Sequence, residues 1–199
     1  SAGGDHSVTL PILRAIASDQ PVGLVHFDAH CDTGDDYLGS KFHHGAPFRR
    51  AVEEGLVDPK RTIQIGIRGS LNDLDQWKFS HDTGMRVIYM EEFYEMGVKS
   101  VIDEIRRVAG DAPTYLTFDV DGLDPVYAAG TGTPEVGGFS TVEAQLMIRG
   151  CQGLNLIGGD VVEVAPPFDP SGNTALTGAT MMFEVLCVVA DAVARRRDE

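Results

Sequence analysis

Cysteine is scarce: three residues, Cys31, Cys151 and Cys187, lie far apart, with no C-x-x-C pair among them. An odd, scattered set suits neither a disulfide framework nor a thiolate zinc site, and a reduced, cytoplasmic compartment is the expectation. Basic residues are few as well. Sixteen Lys and Arg stand against thirty Asp and Glu, a formal net charge of −14. That balance removes nucleic acid and anionic membrane surfaces as default partners, because both select clustered positive charge. No uninterrupted apolar run approaches the ~20 residues that cross a bilayer. The opening Ser1-Ala2-Gly3-Gly4-Asp5-His6 carries neither the basic nor the apolar stretch of a signal peptide. Repeats, low-complexity tracts and linkers are missing too, so residues 1–199 are expected to form one domain. Hydrophobic residues make up 43% of the chain, enough for a core and too many for a disordered segment.

What is present is an alternation of β-rich runs with helical patterns. Strands are expected at 22–27, 62–67, 86–90, 114–118 and 155–164. A first helix holds Leu10, Pro11, Leu13 and Ile16. A second carries Val98, Val101, Ile102, Ile105, Val108 and Ala109 at helical spacing and stops at Gly110. A third runs from about 177 to 195, with Ala179, Met182, Phe183, Leu186, Val189, Ala190 and Val193 expected on its buried face. Apolar strands alternating with helices predict an α/β fold, a mainly parallel sheet between two helical layers. The Gly- and Pro-rich stretch 122–138 is the longest irregular region, a length more common in functional loops.

Ligands of open parallel sheets bind beyond the carboxyl ends of the strands, and those exits are where the chemistry-bearing residues fall. Asp28, His30 and Asp32 alternate after the first strand, on one side if the backbone stays extended. Asp119 and Asp121 follow the fourth strand, and His6 heads the first helix. Six oxygen and imidazole donors, four of them carboxylates, match two divalent cations. Without thiolate the set suits manganese better than zinc or copper, and it would be costly if left empty of positive charge. A lone D-x-D more often makes an Asx-turn, and a lone His at a helix start more often caps or packs. Two acidic clusters at two strand exits are harder to explain that way. Cys31 is expected to be a buried filler, His26 to alternate with the ligand face and pack inside the strand, and His43 and His81 to be ordinary.

Five blocks carry a specific resemblance: G-G-D-H-S at 3–7, D-A-H-C-D-T at 28–33, F-D-V-D-G-L-D-P at 118–125, G-T-G-T-P-E at 130–135 and D-V-V-E-V-A-P-P at 160–167. In this order and spacing the chain resembles the ureohydrolases, the family of arginase and agmatinase. H-G-A-P-F-R-R-A at 44–51 is closest in look to agmatinase and guanidinobutyrase. The resemblance implies an arginase-like three-layer fold and two Mn²⁺ ions per subunit. One ion would be held by His6, Asp28, Asp32 and Asp119, the other by Asp28, His30, Asp119 and Asp121. It implies that Glu163 grips a substrate guanidinium, that His44 shuttles a proton, and that Asp124 and Asp160 support without ligating. The implied reaction cleaves a small guanidino substrate to urea and an amine, agmatine to putrescine first, with a guanidino acid such as 4-guanidinobutyrate as the alternative. A homo-trimer or hexamer is implied as well.

An inactive binding module of the same descent is the competing class, and intact ligands, His44 and Glu163 speak against it. A deacylase on a related sheet is another, which urea release would exclude. The resemblance also implies strands ahead of the G-G-D-H-S block that are absent here. The expected strand order is 155–164, 114–119, 22–27, 62–67, 86–90. With no earlier strand beside it, 155–164 is expected to leave one hydrogen-bonding edge bare.

Overall fold

The computed structural model describes residues 1–17, 19–70 and 75–198, and in these five strands alternate with six α-helices. The strands are β1 (Val22–Phe27), β2 (Val57–Ile67), β3 (Arg86–Tyr89), β4 (Thr114–Asp119) and β5 (Leu156–Val162). The helices are α1 (Thr9–Ile16), α2 (Pro47–Glu53), α3 (Asp75–Thr83), α4 (Met90–Ala109), α5 (Thr141–Gly150) and α6 (Asn173–Asp198). All strand pairs are parallel and the sheet order is β3-β2-β1-β4-β5, as expected.

Alternation along β1 builds both faces of the sheet. Leu24 joins Leu10, Leu13, Phe48 and Tyr115 under α1 and α2. Val25 and Phe27 point the other way, into a larger core with Phe93, Val101, Ile105, Met147 and Val185 from α4, α5 and α6. Each such side chain, fully buried, contributes ~1.5–3 kcal/mol of transfer free energy, so the middle strands are the most strongly held part of the molecule. Local signals set the helix ends. Ser140 and Glu143 close a reciprocal capping box at the start of α5. Gly110, at φ 63°, ends α4 where the sequence placed the stop.

Several boundaries differ from the sequence reading. β2 begins at Val57, Met90 belongs to α4, and α4 extends back past a kink at Gly97. The buried stripe of α6 is Met181, Val185, Val188 and Ala192, not the one expected: Phe183 is 64% exposed and Leu186 58%. The helix is apolar on more than one stripe, so periodicity alone admits either rotation. For the same reason α6 is long and apolar enough to cross a membrane by length and composition, although polar and charged residues interrupt its apolar run. Here one face of it packs in the core against β5.

The expected bare edge of β5 is also corrected. Gly3 N–H donates to the Val161 carbonyl at 2.9 Å, Val161 N–H to Ser1 O at 3.1 Å, and Glu163 N–H to Gly4 O at 2.9 Å. Ala2 thus pairs in parallel with Val161. Extended backbone advances ~3.3 Å per residue, so the first four residues suffice to cover the end of β5 nearest the site. They also hand the chain directly to His6.

Candidate active site

The first strand stops at Phe27, and the backbone bends at once. Asp28, His30 and Asp32 therefore do not line up by β alternation. They converge because the chain folds back: the Asp28 Oδ1 oxygen accepts the His30 N–H at 2.6 Å, and Asp32 sits at φ 51°. The same device appears at β4, where Asp119 Oδ1 accepts the Asp121 N–H at 2.8 Å. The turn-forming reading of D-x-D thus holds at both strand exits, and it leaves carboxylate oxygens directed at the histidines. One oxygen makes each turn and the other faces His6, while the turn oxygen of Asp28 also faces His30.

Those second oxygens meet His6. Its Nδ1 lies 3.0 Å from Asp32 Oδ2 and 3.2 Å from both Asp28 Oδ2 and Asp119 Oδ2. His6 Nε2 is engaged on its far side by Thr117 Oγ1 at 2.9 Å, which leaves Nδ1 aimed into the carboxylates. His30 forms the second cluster, with Nδ1 3.1 Å from Asp121 Oδ2 and 3.4 Å from Asp28 Oδ1. Asp28 therefore turns one oxygen toward each histidine. All six residues are brought together at the carboxyl end of the sheet.

Electrostatics there are severe. Burial raises the Asp119 carboxyl well above the ordinary range, helped by the negative Asp121 and Asp28 beside it. Burial and Asp28 raise Asp121 likewise. For His6, burial disfavours charge, but Asp119, Asp28 and Asp32 outweigh it and hold the imidazole well above its usual value. For His30 the same contest, against Asp121 and Asp28, ends with the ring pushed up to about 12. Four carboxylates thus crowd two imidazoles, and His6 Nδ1 has no well-formed hydrogen bond despite being buried. The donor set offers carboxylate oxygens and imidazole nitrogens, one of them the unbonded His6 Nδ1, aimed at common points. Two divalent cations fit that set.

A cleft of about 240 Å³ opens over the cluster, with His30, Asp32, His44, Glu135 and Glu163 among the residues lining it. Glu163, just past β5, is in the left-handed region at φ 64°. Of the three non-glycine residues with positive φ among the described residues, two are Asp32 and Glu163; such backbone is costly and gathers at functional sites. Glu163 is half-buried. Burial raises its carboxyl, against the opposing His6 N–H. His44 stands exposed at the rim, 3.7 Å from Asp5 Oδ2. Asp124 accepts the Val126 and Gly137 N–H groups in the long loop. Asp160, within β5, is buried on the face toward α1, accepting from the Thr9 and Tyr115 hydroxyls. Cys31 is buried, its thiol pushed up by desolvation.

Two groups were missed from sequence. His26 was expected to alternate with the ligand face, yet it shares parity with Asp28 and contacts it at 2.7 Å; counting in twos was the available signal. Arg68 is buried and, among the described residues, donates to backbone carbonyls rather than to a carboxylate, including those of Asp121, at 2.8 Å, and Glu135, at 2.6 Å. It thereby ties the loop carrying Thr133, Pro134 and Glu135 to the end of β2. A buried arginine coordinating carbonyls has no sequence signature.

Comparison with known proteins agrees with this architecture. The arginase family profile matches residues 1–188. Guanidinopropionase of Pseudomonas aeruginosa is 60% identical over 196 residues, 98% of this chain and 62% of that protein. The mitochondrial agmatinase of Gallus gallus is 55% identical over 188 residues, 94% of this chain and 55% of that protein. The solved proclavaminate amidino hydrolase from Streptomyces clavuligerus superposes with a TM-score of 0.92 at 41% identity, covering 96% of this chain and 64% of its own. The chain thus spans somewhat over half the length of these relatives.

Proposed function

The chain belongs to the arginase family, and from that premise we propose that it hydrolyses a guanidino compound to urea and an amine with two bound divalent metal ions, Mn²⁺ by its donor set. The observation that carries this is the two-sided placement of Asp28, one oxygen toward His6 and the other toward His30. His6, Asp28, Asp32 and Asp119 would hold one ion. Asp28, His30, Asp119 and Asp121 would hold the other. When bound, the pair supplies an activated water at neutral pH and offsets negative charge in the transition state.

The protein's own groups do the rest. Glu163 presents its carboxylate to the cleft and would grip the planar guanidinium by a charge-assisted fork, fixing the carbon over the cluster. The guanidinium carbon is a poor electrophile because its charge is spread over three nitrogens, so orientation matters more than affinity. His44, exposed at the rim, would move a proton between the departing amine and solvent.

Agmatine, giving putrescine and urea, is the first substrate in this reading. The described residues lining the cleft include Asp32, Glu135 and Glu163 and no Lys or Arg, which suits a tail that is cationic. The second reading is a guanidino acid, favoured by the 60% identity to a guanidinopropionase. A cytoplasmic trimer or hexamer belongs to the same proposal. Urea release with Mn²⁺ over agmatine, 3-guanidinopropionate, 4-guanidinobutyrate and arginine is the test. Preference for agmatine supports the first reading, preference for an acid the second, and no urea from any of them overturns both.

A further inference from the structure

The geometry points to His26 as a positioning residue for Asp28, locked in one tautomer by Gln64. His26 on β1 and Gln64 on β2 are register partners, and both are completely buried. The Gln64 side-chain nitrogen lies 2.6 Å from the Cys31 carbonyl oxygen and 3.1 Å from His26 Nδ1. Only an N–H can face a carbonyl oxygen, because turning the amide would set Gln64 Oε1 against Cys31 O. The amide is therefore fixed by Cys31, even though this leaves Gln64 Oε1 buried without a partner. With an N–H pointing at it, His26 Nδ1 must be the acceptor. The ring proton then sits on Nε2 and is donated to Asp28 Oδ2 at 2.7 Å.

This has two consequences. Each Asp28 oxygen receives one N–H, Oδ2 from the His26 ring and Oδ1 from the His30 backbone. The carboxylate plane cannot rotate without losing both, so it stays turned toward both clusters. Second, His26 is not itself a ligand, although His6, His26 and Asp28 lie close enough to hold an ion. Both its ring nitrogens are committed. Phe48 packs on the ring at 4.3 Å between centroids and fixes its tilt.

The inference rests on the two-metal reading above, and its test separates the two. Mn²⁺ titration of the chain by calorimetry should resolve two sites. His26→Phe keeps the ring packing and removes the N–H, and should weaken Mn²⁺ binding ~10–100-fold, the usual cost of losing a partner of a metal ligand. His26→Gln puts an amide N–H near the same point and should restore most of that affinity. Unchanged affinity in a folded His26→Phe variant overturns the inference, as does equal loss in both variants, which would make packing the cause. A wild-type chain that binds fewer than two ions overturns the underlying reading and this inference with it. Independently of any variant, ¹⁵N spectroscopy of the wild-type chain should find the His26 proton on Nε2. A proton on Nδ1 overturns the lock.

Discussion

The Glu163 carboxylate accepts the backbone N–H of His6 at 2.6 Å, across 157 residues of chain. This contact joins the exit of β5 to the turn that leads into α1. It places the residue proposed to hold substrate directly against a residue proposed to hold metal, while their side chains do different work. Glu163→Gln keeps the shape and an acceptor for His6 but loses the charge-assisted fork. Turnover should fall by ~10² or more with Mn²⁺ content unchanged, measured by urea release and elemental analysis on the same preparation.

Asp121→Asn should behave in the opposite way. Asp121 Oδ1 accepts the Ala29 N–H and Oδ2 faces His30 and the Thr133 hydroxyl. Removing its charge should deplete bound metal, and activity with it, with excess Mn²⁺ recovering part of the loss. Equal metal retention in the two variants would contradict their separate roles.

Gly66 tests how tightly the sheet supports the site. It sits at φ 106°, and an added Cβ would lie 2.7 Å from the Asp28 carbonyl oxygen and 2.6 Å from the Phe139 ring. Gly66→Ala combines left-handed strain with a backbone clash, so a loss of ~2–4 kcal/mol is expected. Chemical denaturation reads it, and Mn²⁺ affinity should drop in parallel because Asp28 must shift.

The acid limb of stability should carry a contribution from Glu104. Its carboxylate is held down to about 2, chiefly by Arg107, with Arg86 also bonded and burial opposing. A carboxyl depressed in the folded state stabilises above its unfolded value and loses that contribution as pH falls through the folded one. Glu104→Gln should therefore cost ~1 kcal/mol near neutral pH, with the difference from wild type shrinking between about pH 4.5 and 2. A difference constant over that window would contradict the assignment.

Strand identity was legible in the sequence because β1, β2 and β4 carry dense Val, Ile, Leu and Phe between turn signals, whereas strand order rested on the resemblance carried by the blocks at the strand exits. The rotation of α6 was not legible, since Phe183 and Leu186 satisfy the same helical spacing as Met181 and Val185. The cluster itself was legible through residue type: Asp and His concentrated at two exits. How it converges was not. Asp28 and Asp119 each spend one oxygen on a turn, which spacing cannot distinguish from a plain Asx-turn. His26 was misplaced by its parity, and Gln64 is an ordinary polar residue until the register of β1 on β2 puts it opposite His26. The edge of β5 was misread because no strand was assigned ahead of the G-G-D-H-S block, whereas Ser1, Gly3 and Gly4 of the opening segment already pair with β5 and the residue just past it.

Anomalous diffraction at the manganese edge from crystals soaked in Mn²⁺ tests the proposed binuclear centre itself. Two peaks are predicted, one among His6, Asp28, Asp32 and Asp119 and one among Asp28, His30, Asp119 and Asp121, with Asp28 touching both. A single peak, or one ligated by His26, would contradict the account.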